Sequence, residues 1–78
     1  MAPTLERIVA LVKEYDYEDR AVTAQTRLIE DLGFDSLDMV EVAMAIEDEY
    51  NIELSDDDVY GAVTVQDLLN AATRLYER

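Results

Sequence analysis

An all-α fold, a small four-helix bundle of three longer helices and one short one with a long loop between helices 1 and 2, is predicted for this chain of 78 residues. Three observations carry the prediction. Apolar residues recur at three- and four-residue spacing in the longer segments, the period of an amphipathic helix. The segments open on Ser, Thr or Asp residues able to cap a helix, three of them (Asp35, Ser55 and Thr64) followed three positions on by an acid. Half the residues are hydrophobic and 32% are charged, a globular composition and not a disordered one. Residues 1–78 read as a single domain. A domain of this size buries only roughly 60% of the surface its unfolded chain exposes, which leaves no room for a deep substrate pocket.

The first helix is expected over Thr4–Tyr15, where Leu5, Ile8, Val9, Leu11 and Val12 share a face. Pro3 precedes the Thr4 cap, and Glu6 places negative charge at the positive end of the dipole. A connection of 20 residues, Asp16–Asp35, follows. Thr23, Thr26 and Gly33 interrupt its periodicity, while Val22, Leu28, Ile29 and Leu32 are available to pin it to the core. So long a connection in so small a domain needs packing or a function of its own. The second helix spans Ser36–Tyr50. The short third runs from Ser55 to Tyr60, with Ser55-x-x-Asp58 at its start and Gly61 as its stop. The fourth, Thr64 to Tyr76, opens on Thr64-x-x-Asp67 and presents Val65, Leu68, Leu69, Ala72, Leu75 and Tyr76 on one side.

On a helical wheel the second helix has two apolar stripes. Met39, Val42, Ala43, Ile46 and Tyr50 form the core stripe. Leu37, Val40 and Met44 form another, turned roughly 130° away. Glu41 and Asp48 border the second stripe on one side and Glu47 on the other, a pattern that resembles the centre and rim of a protein-binding surface. Burial against another helix is the competing explanation, and for Val40 the two weigh equally. Acidic flanks favour exposure of Leu37 and Met44, and Met suits surfaces that must fit several partners. At the start of this helix Ser36 is either a cap or, if Asp35 caps through Asp35-x-x-Asp38, a first-turn residue with a free hydroxyl.

Charge is segregated. Of the net −13, all resides between Leu28 and Thr73, which hold 13 acids and no Lys or Arg. Such a field repels nucleic acids and anionic membranes and steers basic protein partners. The absence of Cys excludes disulfides and thiolate metal sites. The absence of His removes the commonest general base and metal ligand. No apolar run approaches the roughly 20 residues of a membrane span. The opening stretch MAPTLERIVALVKEY lacks the basic region of a secretory signal. A soluble, cytoplasmic monomer without membrane insertion is the expectation.

The run Glu30-Asp31-Leu32-Gly33-Phe34-Asp35-Ser36-Leu37-Asp38-Met39-Val40-Glu41-Val42 resembles the phosphopantetheine attachment motif of acyl carrier proteins, close to E-D-L-G-x-D-S-L-D-x-V-E-[LV]. The likeness continues through Met44–Tyr50, Ile52–Asp58 and Thr64–Asp67, so it covers roughly residues 22–70. Two positions depart from the family: Ser55 stands where many fatty-acid-synthesis carriers have Pro, and Phe34 replaces a residue that is usually small. The resemblance implies that Ser36, within the motif residues Asp35, Leu37 and Asp38, bears 4′-phosphopantetheine donated by coenzyme A. Acyl chains would then ride on its thiol for fatty acid, related lipid or polyketide synthesis. It implies a phosphopantetheinyl transferase as partner, and synthases, reductases and acyltransferases whose basic patches dock on Leu37, Val40, Glu41, Met44, Glu47 and Asp48. Asp35 and Asp38 would serve recognition by the transferase, Phe34 would contact the arm or bias docking, and Ile46, Val40, Ala62 and Leu68 would shelter the chain or simply form core.

Three other classes fit less well. A serine enzyme would lack an orthodox activating base, because the chain has neither His nor Cys and only one Lys. A calcium loop starting at Asp56 has Tyr60 and Asp67 where an oxygen ligand and a bidentate Glu are needed, although the crowded acids favour nonspecific divalent cations. An acidic helical interaction module without a prosthetic group is the remaining alternative. It differs only in lacking the arm.

Overall fold

The computed structural model describes residues 1–77; Arg78 lies outside them. Among the described residues there are four helices and no strand: α1 (Leu5–Lys13), α2 (Ser36–Tyr50), α3 (Asp56–Tyr60) and α4 (Val65–Tyr76). All-α architecture with three longer helices and a short one is thus as expected. α1 packs on α2 and α4, and α3 closes the gap between α2 and α4.

Each helix starts where its cap places it. The Thr4 hydroxyl accepts from the Arg7 amide at 3.2 Å. Reciprocal capping boxes open the other three helices, Asp35 with Asp38, Ser55 with Asp58 and Thr64 with Asp67. Each satisfies amides that a helix start leaves without intrahelical partners. α2 ends at Asn51, whose left-handed backbone (φ 53°) lets the Ile52 amide return to the Glu47 carbonyl at 3.2 Å. α3 ends at Gly61 as expected, with an ordinary right-handed backbone (φ −83°), and crowding is what requires glycine at this position. A Cβ there would stand 2.5 Å from the Asp57 carbonyl oxygen. α1 stops at Lys13, two residues short of the expected Tyr15. Asp16 captures the amides of Glu18 at 3.3 Å and Arg20 at 2.8 Å, a local alternative to further helix.

The core is one apolar cluster drawn from all four helices and the connection. From α2 it takes Met39, Val42, Ala43, Ile46 and Tyr50, the stripe read from the wheel. From the connection it takes Leu28 and Leu32, with Val22 partly buried. Ile29 departs from expectation, being 59% exposed. Phe34, read as a contact for the arm, is 4% exposed and packs in the cluster, which leaves little of its ring for such a contact.

The long connection is tied across the start of α4. The amide of Leu28 donates to Val63 at 2.9 Å, that of Val65 to Thr26 at 3.0 Å and that of Gln66 to Ala24 at 2.9 Å. Backbone groups that would otherwise need water are thereby paired. Asp58, considered as a calcium ligand, instead accepts from the Ser55 amide and pairs with Arg74. The Arg74 guanidinium holds its carboxyl below the usual range.

Tyr50 packs edge-on against Tyr76, with ring centroids 6.2 Å apart. Its hydroxyl is buried; the Thr4 backbone faces it, but no hydrogen bond of acceptable geometry forms among the described residues. Burial raises the phenol pKa. Because an unsatisfied buried polar group costs about 1–3 kcal/mol, Tyr50→Phe is expected to raise the unfolding free energy by about 1 kcal/mol. Urea denaturation of the two proteins measures this.

Candidate functional site

The first turn of α2 sets the site. Asp35 is the N-cap: its Oδ1 accepts from the Asp38 amide at 2.9 Å, while Asp38 Oδ2 accepts from the Asp35 amide at 3.1 Å. Of the alternatives read for Ser36, the structure selects the second. Ser36 is the first residue of the helix, exposed, and relieved of capping by its neighbour. Both acids stabilise the helix start, so neither is spare for recognition alone.

Along α2 the second stripe runs outward from Ser36. Leu37 is 63% exposed and Met44 56%, while Val40 is half-buried. Asp48 is exposed, and Glu41 and Glu47 are partly so. Glu47 is not a free rim acid, because its Oε2 accepts from the Leu54 amide at 2.7 Å. Val40, Ala43, Met44 and Glu47 line a depression of about 140 Å³, closed by Leu54, Asp56, Val59 and Tyr60. It is well below the roughly 300 Å³ of a typical small-molecule pocket. Of the residues offered as shelter for a chain, Ile46, Ala62 and Leu68 are core, and only Val40 borders the depression.

Sequence reasoning missed Tyr60, 56% exposed and shared between this depression and a second one formed with Ile29, Ala62 and Val63. Its neighbour Val59 is buried, and a residue one step round a short helix from a core position is turned away from the core. That signal was present, but too short to read without the fold.

The cations near this surface are occupied elsewhere. Arg7 holds Glu49 at the end of α2 at 2.8 Å, Arg27 holds Glu30 and Asp31, and Arg74 holds Asp58. Among the described residues, no cation pairs with Glu41 or Asp48, so that flank of α2 carries a negative field. For a covalent group on Ser36 the geometry fits: the hydroxyl is accessible, the cap is supplied by another residue, and helix starts favour a phosphate.

A helical domain thus exposes a serine, free of capping, at a helix start beside an acid-rimmed apolar strip. The family described as "Phosphopantetheine attachment site" matches residues 6–72. An acyl carrier protein of Campylobacter concisus is 37% identical over 65 residues, 83% of this chain and 84% of that one. The acyl carrier protein of Campylobacter lari is 37% identical over 60 residues, 77% and 78% of the two chains. A candidate acyl carrier protein of Mycobacterium tuberculosis superposes with a TM-score of 0.79 at 36% identity, over 86% of this chain and 90% of that one. The hexanoyl-bearing carrier of the actinorhodin polyketide synthase of Streptomyces coelicolor shares the fold, with a TM-score of 0.82 at 23% identity over 99% and 94% of the chains.

The chain belongs to the phosphopantetheine-bearing acyl carrier protein family. It carries acyl groups on phosphopantetheine and is not itself a catalyst; its family interacts with synthases and modifying enzymes. No described helix is long and apolar enough to cross a membrane.

Proposed function

We propose that residues 1–78 form a single carrier domain, that Ser36 bears the 4′-phosphopantetheine, and that partner enzymes dock on Leu37, Val40, Glu41, Met44, Glu47 and Asp48. The observation that carries the reading is the division of labour at the α2 start: Asp35 caps, and Ser36 stays exposed. When bound, the group supplies a thiol that holds the acyl chain as a thioester. The chain's own work is to hold the serine at a fixed, accessible helix end and to offer an acidic landing surface. The cargo is an acyl intermediate of fatty acid or related lipid or polyketide synthesis. We place the protein in the cytoplasm, where a phosphopantetheinyl transferase and chain-building enzymes with basic docking patches would meet it.

Incubation with coenzyme A and a phosphopantetheinyl transferase tests this by intact mass. Uptake of one phosphopantetheine per chain is expected; an unchanged mass would leave the acidic interaction module as the better reading.

Docking is expected to be electrostatic. The double variant Glu41→Lys, Asp48→Lys should lower kcat/KM of partner reactions by about tenfold or more at low salt. The gap from wild type should narrow towards about 1 M salt, where the Debye length falls to about 3 Å. Glu47 is excluded from this test, since its carboxylate holds the Leu54 amide. Equal rates for variant and wild type at low salt would remove α2 as the docking face.

A further inference from the structure

The segment that delivers Ser36, residues 31–35, belongs to no helix. Its inner side is anchored by the buried side chains of Leu32 and Phe34. Arg27 holds the Asp31 carboxylate, and the guanidinium of Arg20 holds the backbone carbonyls of Asp31 and Leu32. Arg20 Nη1 donates to the Asp31 carbonyl at 3.1 Å, and Nη2 donates to the Leu32 carbonyl at 2.6 Å. Arg20 is in turn fixed by Asp16, which accepts from Nη2 at 2.8 Å and from Nε at 3.3 Å. No part of the Asp16 side chain is exposed.

An ionised carboxylate is costly to bury unless it is paired and fully hydrogen-bonded, and removing one partner of such a pair leaves the other uncompensated. Ending α1 does not require so costly a group. What this pair adds is reach: it joins the end of α1 to the backbone four and five residues before Ser36. Between the clamp and the serine lies Gly33, at φ 70°, where an added Cβ would meet nothing within 4 Å. Without the clamp, that glycine is the natural joint about which the α2 start could shift.

We infer that Asp16 and Arg20 are positioning residues for modification of Ser36, a role that rests on the attachment reading above. In the step they serve, the Ser36 oxygen forms a bond to the phosphorus that carries pantetheine in coenzyme A. The bond from that phosphorus to the bridging pyrophosphate oxygen breaks, adenosine bisphosphate leaves with the electron pair, and the serine proton passes to a base of the transferase. The clamp touches none of these atoms. It sets where the hydroxyl stands when the transferase has docked on α2, so its loss should act on turnover and not on docking.

The test compares wild type with Arg20→Met, Arg20→Lys and Asp16→Asn, reading transferase kinetics and amide hydrogen exchange. Arg20→Met is expected to lower kcat about tenfold or more, since a misplacement of about 1 Å can cost about a hundredfold. KM for the carrier should stay within about twofold, since the docking contacts are intact. The Gly33 and Phe34 amides, which donate to Ile29 and Leu28 at 2.9 and 3.2 Å, should exchange faster, while those of α1 and α4 keep wild-type rates. Arg20→Lys, able to reach one carbonyl, should fall between. If Arg20→Met fails to fold, Asp16→Asn, which changes no side-chain volume, carries the same comparison. Unchanged kcat in the folded variants, or exchange accelerated uniformly through all helices, would overturn the inference while leaving attachment at Ser36 standing. Failure of wild type to accept the group would overturn both.

Discussion

Ser36→Ala is expected to accept no phosphopantetheine under conditions that fully convert the wild-type chain. The loss should be complete, because the only other serine, Ser55, donates its hydroxyl to Asp58 Oδ2 at 2.9 Å and accepts the Asp58 amide, both in service of the α3 cap. It should also be free of any folding defect. Asp35 supplies the cap of α2, and alanine is the best helix former at the vacated position. An exposed substitution of this kind changes stability by no more than about 0.5 kcal/mol. Circular dichroism and intact mass on the same sample separate the two properties. A variant that remains helical and still gains the mass would place the attachment elsewhere.

The largest expected effect on stability lies in the connection and not in the site. Leu28 is fully buried, and its amide donates to the Val63 carbonyl at 2.9 Å, so its side chain anchors the strap across the start of α4. Leu28→Ala removes buried methyl groups and leaves a cavity, a change that costs about 2–5 kcal/mol. A domain of this length has only about 4–12 kcal/mol in total. The melting temperature should therefore fall by at least about 10 °C. Ile29→Ala, one residue along and mostly exposed, should change stability by less than about 0.5 kcal/mol. Thermal denaturation of the pair makes the comparison. Equal effects at the two positions would contradict the packing described for the connection.

The contrast between Leu28 and Ile29 also shows where sequence reasoning stops. Helix starts were legible because a capping box is local: the acceptor and the amide it serves are three residues apart, and Asp35, Ser55 and Thr64 each announce one. The core stripe of α2 was legible because its period is fixed by the helix. Ile29 and Leu28 carry no such period, and only the register of the connection against Val63 decides which of them turns inward. Phe34 reads as an aromatic beside a functional serine, and its burial follows from the turn at Gly33, which directs it into the cluster. Asp16 and Arg20 look like two more surface charges until the end of α1 and the approach to α2 are brought side by side. The serine and its flanking acids were legible as a motif. The commitment of Glu47 to the Leu54 amide, and the place of Tyr60 at the edge of the depression, depend on how α3 lies against α2.

Fragmentation of the modified protein, localising the added phosphopantetheine to one residue, tests the central claim most directly. The account predicts that the added mass resides on Ser36 and on no other hydroxyl. Localisation to any other side chain would contradict it.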